Sequence, residues 1–161
     1  MQTVIRKEHL AAIAVALLLS GCALFGKKEP TMTVRIHEQV TSVLPENRVR
    51  IVDIPKAGVR LSIDPYPAIS DKDMSGAELV DTTGGLAVKL KFDPHGAVLL
   101  DELTTRDRGN YLVVMVNDEP VAAWLVQDRL SKGELLVEGD FTDDQARKIV
   151  EFLNSQAKKK K

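Results

Sequence analysis

Cysteine is almost missing from this 161-residue chain. Cys22 stands alone, which excludes an internal disulfide framework, a zinc cluster and an iron–sulfur site. Aromatic residues are scarce too: four Phe, two Tyr and one Trp are too few for a base-stacking platform. Net charge is nearly absent, since 22 Lys plus Arg against 23 Asp plus Glu leave −1, and nothing drives the chain toward nucleic acid. The histidines are His9, His37 and His95, little from which to build a histidine-based active site. No Gly-x-Ser-x-Gly elbow, P-loop or His-Glu-x-x-His motif occurs. With no nucleophile–base pairing to propose, the expectation is a non-enzyme without cofactor or catalytic metal. What remains is an ordinary globular balance, 44% hydrophobic and 28% charged, at a length suited to one domain plus a targeting segment.

That segment is the N-terminus. Arg6 and Lys7 precede an apolar run from Leu10 to Leu19. The uncharged stretch from Leu10 to Phe25 is 16 residues, short of the roughly 20 that a membrane-spanning helix needs. A signal peptide needs fewer, followed by small residues. Leu19-Ser20-Gly21-Cys22 resembles a bacterial lipobox, which implies signal peptide 1–21, cleavage between Gly21 and Cys22, and a lipid-modified Cys22 that anchors the protein in a membrane. A mature bacterial lipoprotein carries three acyl chains, and two or more hold a protein stably on a bilayer. Ala23, where an inner-membrane lipoprotein commonly has Asp, favours the outer membrane of a Gram-negative envelope, with the domain facing the periplasm. The lipidated Cys and tether occupy residues 22–31, and at about 3.3–3.6 Å per residue the tether reaches about 30 Å.

Residues 32–155 read as a single α+β domain, mostly antiparallel sheet with two main helices. Met32, Val34 and Ile36 alternate with Thr33, Arg35 and His37; Val49 and Ile51 alternate with Arg48 and Arg50; Val59, Leu61 and Ile63 alternate with Arg60, Ser62 and Asp64. Leu86, Val88, Leu90 and Phe92 give the cleanest case. This period of two marks half-buried strands, here with His37, Arg48 and Arg50 on polar faces. Leu112–Val116 and Val121–Val126 are apolar throughout and bracket Asn117-Asp118-Glu119-Pro120, a central hairpin expected to be covered on both faces. Leu135–Val137 reads as a last short strand. Asp93-Pro94 predicts an N-cap and first-turn proline before a helix carrying Leu99, Leu100 and Leu103, and Gly109 breaks the chain after it. Thr142 with Gln145 forms a capping box ahead of Ala146, Ile149, Val150 and Leu153, an amphipathic face. Residues 156–161 form a basic tail.

From Pro67 to Leu153 the chain resembles the head subdomain of the first periplasmic domain of SecD, a subunit of the SecDF protein-export complex. The residues carrying the resemblance are Asp81-Thr-Thr-Gly-Gly85, Val88-Lys-Leu-Lys-Phe-Asp-Pro-His-Gly96, Leu103-Thr104, Gly109 and Val137-Glu-Gly-Asp-Phe-Thr-Asp-Asp-Gln-Ala146. The match is a string of structural positions, so it implies a fold and a contact surface for a polypeptide or export-complex partner. Proton-driven movement, which the family's membrane helices supply, does not carry over. Asn117-Asp118-Glu119-Pro120 replaces the family's Asp-Gly turn, and Trp124 stands where the family tends to have Pro.

Other candidates compete with plain structural roles. Asp71 to Gly76 matches the start of a calcium loop, but its twelfth position is Thr82 in place of a bidentate Glu, and capping by Ser70 with Asp73 explains the same residues. Asp101 and Glu102 are adjacent, so a helix points them apart. His37 and His95 read as solvated or capping groups. Trp124 is either a core anchor or part of a binding surface. The functional expectation is a binding module for exported polypeptides or an export-related complex, acting through a sheet edge that Arg48, Arg50 and Arg60 could otherwise protect. The alternative is a structural or envelope-maintenance lipoprotein with no role in export.

Overall fold

In the computed structural model, which describes residues 32–42, 45 and 48–159, the sequence is laid out mainly as β-hairpins. The leader, Gly21, Cys22, Ala23 and the tether lie outside the described residues. Along the chain come β1 (Val34–Glu38), β2 (Arg50–Ile54), β3 (Val59–Ile63) and β4 (Ile69–Ser70). A 3-10 turn at Asp71–Asp73 leads into β5 (Met74–Thr82) and β6 (Gly85–Phe92). Helix α1 (Pro94–Arg106), β7 (Tyr111–Val116), β8 (Glu119–Leu125), β9 (Glu134–Val137) and α2 (Asp143–Lys159) complete the order. All pairings are antiparallel, in sheets ordered β4-β1-β7-β8, β5-β6-β9 and β2-β3. The fold is α+β, as the residue patterns predict.

Two cores hold it, one on each face of β7. Leu112 and Val114 join Val34, Ile36, Val88, Leu90, Leu135, Leu100, Ile149 and Leu153 in the larger core. Val113 and Met115 turn the other way, onto Val52, Ile54, Leu61 and Ile63 of the β2–β3 hairpin. That is why β7 is apolar at every position. Its partner β8 differs from expectation: it ends its sheet, and of its residues Ala122 alone is fully buried. Glu119 and Pro120 belong to β8, leaving Asn117 and Asp118 as a two-residue turn with φ of 52° and 65°. Asn and Asp tolerate this left-handed geometry better than other non-glycine residues. Asn117 Oδ1 accepts from Thr33 N–H at 3.0 Å, and Asp118 pairs with Arg35 at 2.9 Å.

Both helix starts follow their capping residues. Asp93 Oδ1 accepts from the Gly96 N–H at 2.9 Å, with Pro94 in the first turn. Gly96 also lets α1 approach the 3-10 turn, because a Cβ there would sit 2.2 Å from the Asp73 carbonyl oxygen. Thr142 and Gln145 exchange reciprocal bonds of 2.8 and 3.3 Å before α2. That helix runs on to Lys159, so residues 156–159, read from sequence as tail, form its last turn.

Two expectations need correction, and one strand is additional to them. In β2 the buried residues are Val52 and Ile54 while Ile51 is 47% exposed, so the strand presents the opposite phase to the one its alternation with Arg48 and Arg50 suggests. His37, expected on a solvated face, is buried because the β2–β3 hairpin covers that face of β1. Strand β5 has no clean alternation in the sequence, because Ser75-Gly76 interrupts its pattern at a register shift.

Candidate functional site

Two end strands approach each other at one place. β8 ends one sheet and β9 ends another. At one point they are tied: the Asp140 N–H donates to the Val121 carbonyl oxygen. Gly139 allows this, since a Cβ there would lie 2.8 Å from that oxygen and closer still to the Phe141 ring. Lys56 Nζ, from the β2–β3 turn, adds a 2.8 Å bond to the Gly139 carbonyl. Beyond the tie a groove of about 410 Å³ opens, lined by Ala122, Ala123, Trp124, Leu125, Leu136, Val137 and Glu138.

The groove combines apolar walls with main-chain polar groups. Trp124 lies opposite Leu112 and is half-buried against the larger core, so it is at once an anchor and a wall. Leu136 is 40% exposed. It escapes a sequence reading because Leu135 and Leu136 form an unbroken apolar pair, of which the strand can bury one. On β8, Val126 directs its N–H and C=O to Asn110 and Gly109, so by alternation those of Ala123 and Leu125 point away from β7.

Charge at the rim is mixed and paired. On the outer face of the β5–β6–β9 sheet, Glu78 lies between Lys91 at 2.6 Å and Lys89 at 2.9 Å. Hydrogen bonds from these two lysines pull the Glu78 carboxyl down to about 2. Asp101 is engaged by Arg129 and not by Glu102. The arginines read as edge guards lie elsewhere: Arg50 bonds the turn at Asp118 and Arg60 faces Asp53 across β2–β3. Asp73 serves as a cap, accepting from the Ser70 N–H and hydroxyl at 2.9 Å each, with His95 Nδ1 at 3.2 Å. Partial burial pushes its carboxyl up, but these bonds outweigh burial and hold it below its ordinary value. Among the described residues no cluster of three or more His, Cys, Asp or Glu is placed to hold a metal ion.

The sequence matches the SecDF, P1 head subdomain over residues 37–157. The chain belongs to that family. The match starts at His37, near the end of β1 and well before Pro67, so β2 and β3 fall within the head subdomain as well. A relative among curated proteins is the protein translocase subunit SecD of Calditerrivibrio nitroreducens, 25% identical over 136 residues, covering 82% of this chain and 22% of the relative. The head domain here thus spans about a fifth of that protein. Solved structures agree on the fold. A SecDF described as a membrane component that enhances protein export superposes with TM-score 0.60 at 16% identity, covering 96% of this chain and 72% of that one. SecDF in a super-membrane-facing form gives TM-score 0.58 at 18% identity, covering 78% and 19%. Among the described residues of this SecDF-type head, no helix is long and apolar enough to cross a membrane.

Proposed function

We propose that the protein is a membrane-anchored, periplasm-facing head module that holds extended segments of exported polypeptide for an export-related envelope complex, without enzymatic chemistry. The observation that carries this reading is the groove between β8 and β9, where outward N–H and C=O groups run beside Trp124, Leu125 and Leu136. A polypeptide added as a strand to such an edge bonds through its main chain whatever its sequence, while neighbouring apolar side chains set preference. The family relationship supports the export context, because the matched relatives are a translocase subunit and a component that enhances export. Cys22, lipidated after cleavage behind Gly21, supplies the membrane attachment in this reading, and Ala23 favours the outer membrane.

Amide exchange on the full chain in detergent, with and without a urea-unfolded outer-membrane protein, tests the reading. Added protection should fall on residues 119–125 and 134–138, and Trp124→Ala should weaken binding about fivefold or more. Absence of protection there, or binding through the terminal lysines alone and lost in salt, would point to an envelope-structural role.

A further inference from the structure

His37 is 3% exposed and lies opposite Val113, on the face of β1 that the β2–β3 hairpin covers. Its Nδ1 is 2.8 Å from the carbonyl oxygen of Asp64. A carbonyl can only accept, so Nδ1 carries the hydrogen and Nε2 carries the lone pair. Nε2 is buried and has no hydrogen-bond partner among the described residues. The ring sits at the seam that joins the hairpin to the sheet. The Asp64 N–H donates to the Glu38 carbonyl at 3.0 Å, the Val40 N–H to Ser62 at 2.7 Å, and Gln39 bridges to Ile63.

Proton uptake would change this seam. A lone pair left unpaired in an apolar site is a modest cost, whereas a charged N–H without an acceptor is a large one. The groups facing the ring do not relieve it. Arg35 on β1 and Arg50 on β2 oppose a second cation, although both are shared with Asp118 of the β7–β8 turn. The Asp64 carboxylate favours a cation but already accepts from the Tyr66 N–H at 2.8 Å. Tyr111 on β7 packs on the same core and brings no carboxylate. Burial is the largest influence and lowers the His37 pKa below its ordinary value.

We propose that His37 is an acid-sensitive latch: neutral, it holds the β2–β3 hairpin against β7, and protonated, it lets the hairpin lift and uncover Val113 and Met115. The sign follows from linkage. With the hairpin lifted the imidazole is in water and titrates near 6.5, above its value in the closed form. Above that pH the group contributes no dependence. Below it the lifted state takes up protons first, so its population rises by up to tenfold per pH unit until the closed form titrates as well.

Hydrogen exchange of the full chain, corrected for intrinsic rates, at pH 7.5, 6.5 and 5.5 tests the latch. Protection of residues 50–63 should fall between pH 6.5 and 5.5 while that of β6 and α2 holds, and His37→Leu should remove the dependence. Equal protection at all three values, or the same fall in the variant, would overturn the proposal. Should the variant fail to fold, NMR titration of the wild-type His37 ring decides: a pKa at or above 6.5 rejects the latch, and one below it supports it.

Discussion

Asn154 stands beside β5 where a neighbouring strand would otherwise be. Its Nδ2 donates to the Ala77 carbonyl at 3.0 Å and its Oδ1 accepts from the Ala77 N–H at 3.0 Å, so one amide side chain satisfies both backbone groups of an end-strand residue. Gly76 makes room, with φ of 146° and a hypothetical Cβ only 2.6 Å from Oδ1. Asn154→Ala should therefore lower stability by about 1–3 kcal/mol in a urea titration, because buried groups on Ala77 lose their partner. None of this was legible in the sequence. Asn154 follows the apolar face of α2 without belonging to it, and β5 itself hides behind Ser75-Gly76. His37 is the same lesson on another strand: alternation says which residues share a face, and the covering hairpin decides whether that face is wet.

At the scale of elements, the start and the buried face of α2 were readable because two independent signals coincide. The capping pair at Thr142 and Gln145 fixes its start, and Ala146, Ile149 and Leu153 recur at helical spacing and are buried. Leu153, 1% exposed in the larger core, should cost about 2–5 kcal/mol on truncation to Ala; a loss below about 0.5 kcal/mol would show the helix to be peripheral. Strands carry weaker signals. The phase of β2 departs from its residue alternation because Arg50 reaches out to Asp118 from a position whose neighbour Ile51 is itself exposed. Both strands carry apolar side chains to the two cores, β8 with Val121, Ala122 and Trp124 on the larger and Ala123 on the smaller, but that pattern does not tell a central strand such as β7 from an end strand such as β8. Half of the candidate site, Trp124, was singled out on composition; its partner wall Leu136 depends on how two sheets meet.

For the whole molecule, the attachment proposed at Cys22 and the domain are separable. Cys22→Ser should abolish lipidation, leaving an uncleaved precursor or a released soluble form, while the folded head keeps its structure. Intact-mass measurement of membrane-extracted protein checks this: a mature wild-type form beginning anywhere but at a lipid-modified residue 22 would overturn the anchor. The head makes its fold from 32 onward with its own two cores, so loss of the anchor should change where the protein resides and not its urea midpoint.

The tie between Asp140 and Val121 also bears on dwell time. It closes the β8 edge on one side, and the strand ends at Leu125 on the other, so a guest chain bound as proposed would find outward groups on Ala123 and Leu125. Those residues offer about four main-chain hydrogen bonds at ~0.5–1.5 kcal/mol each, set against ~1–2 kcal/mol for every guest residue brought to order. The balance is near zero before Trp124 and Leu136 add their apolar contact. A foothold of this length favours brief visits and rapid turnover, so a moving polypeptide would be steadied in passing and handed on, never stored.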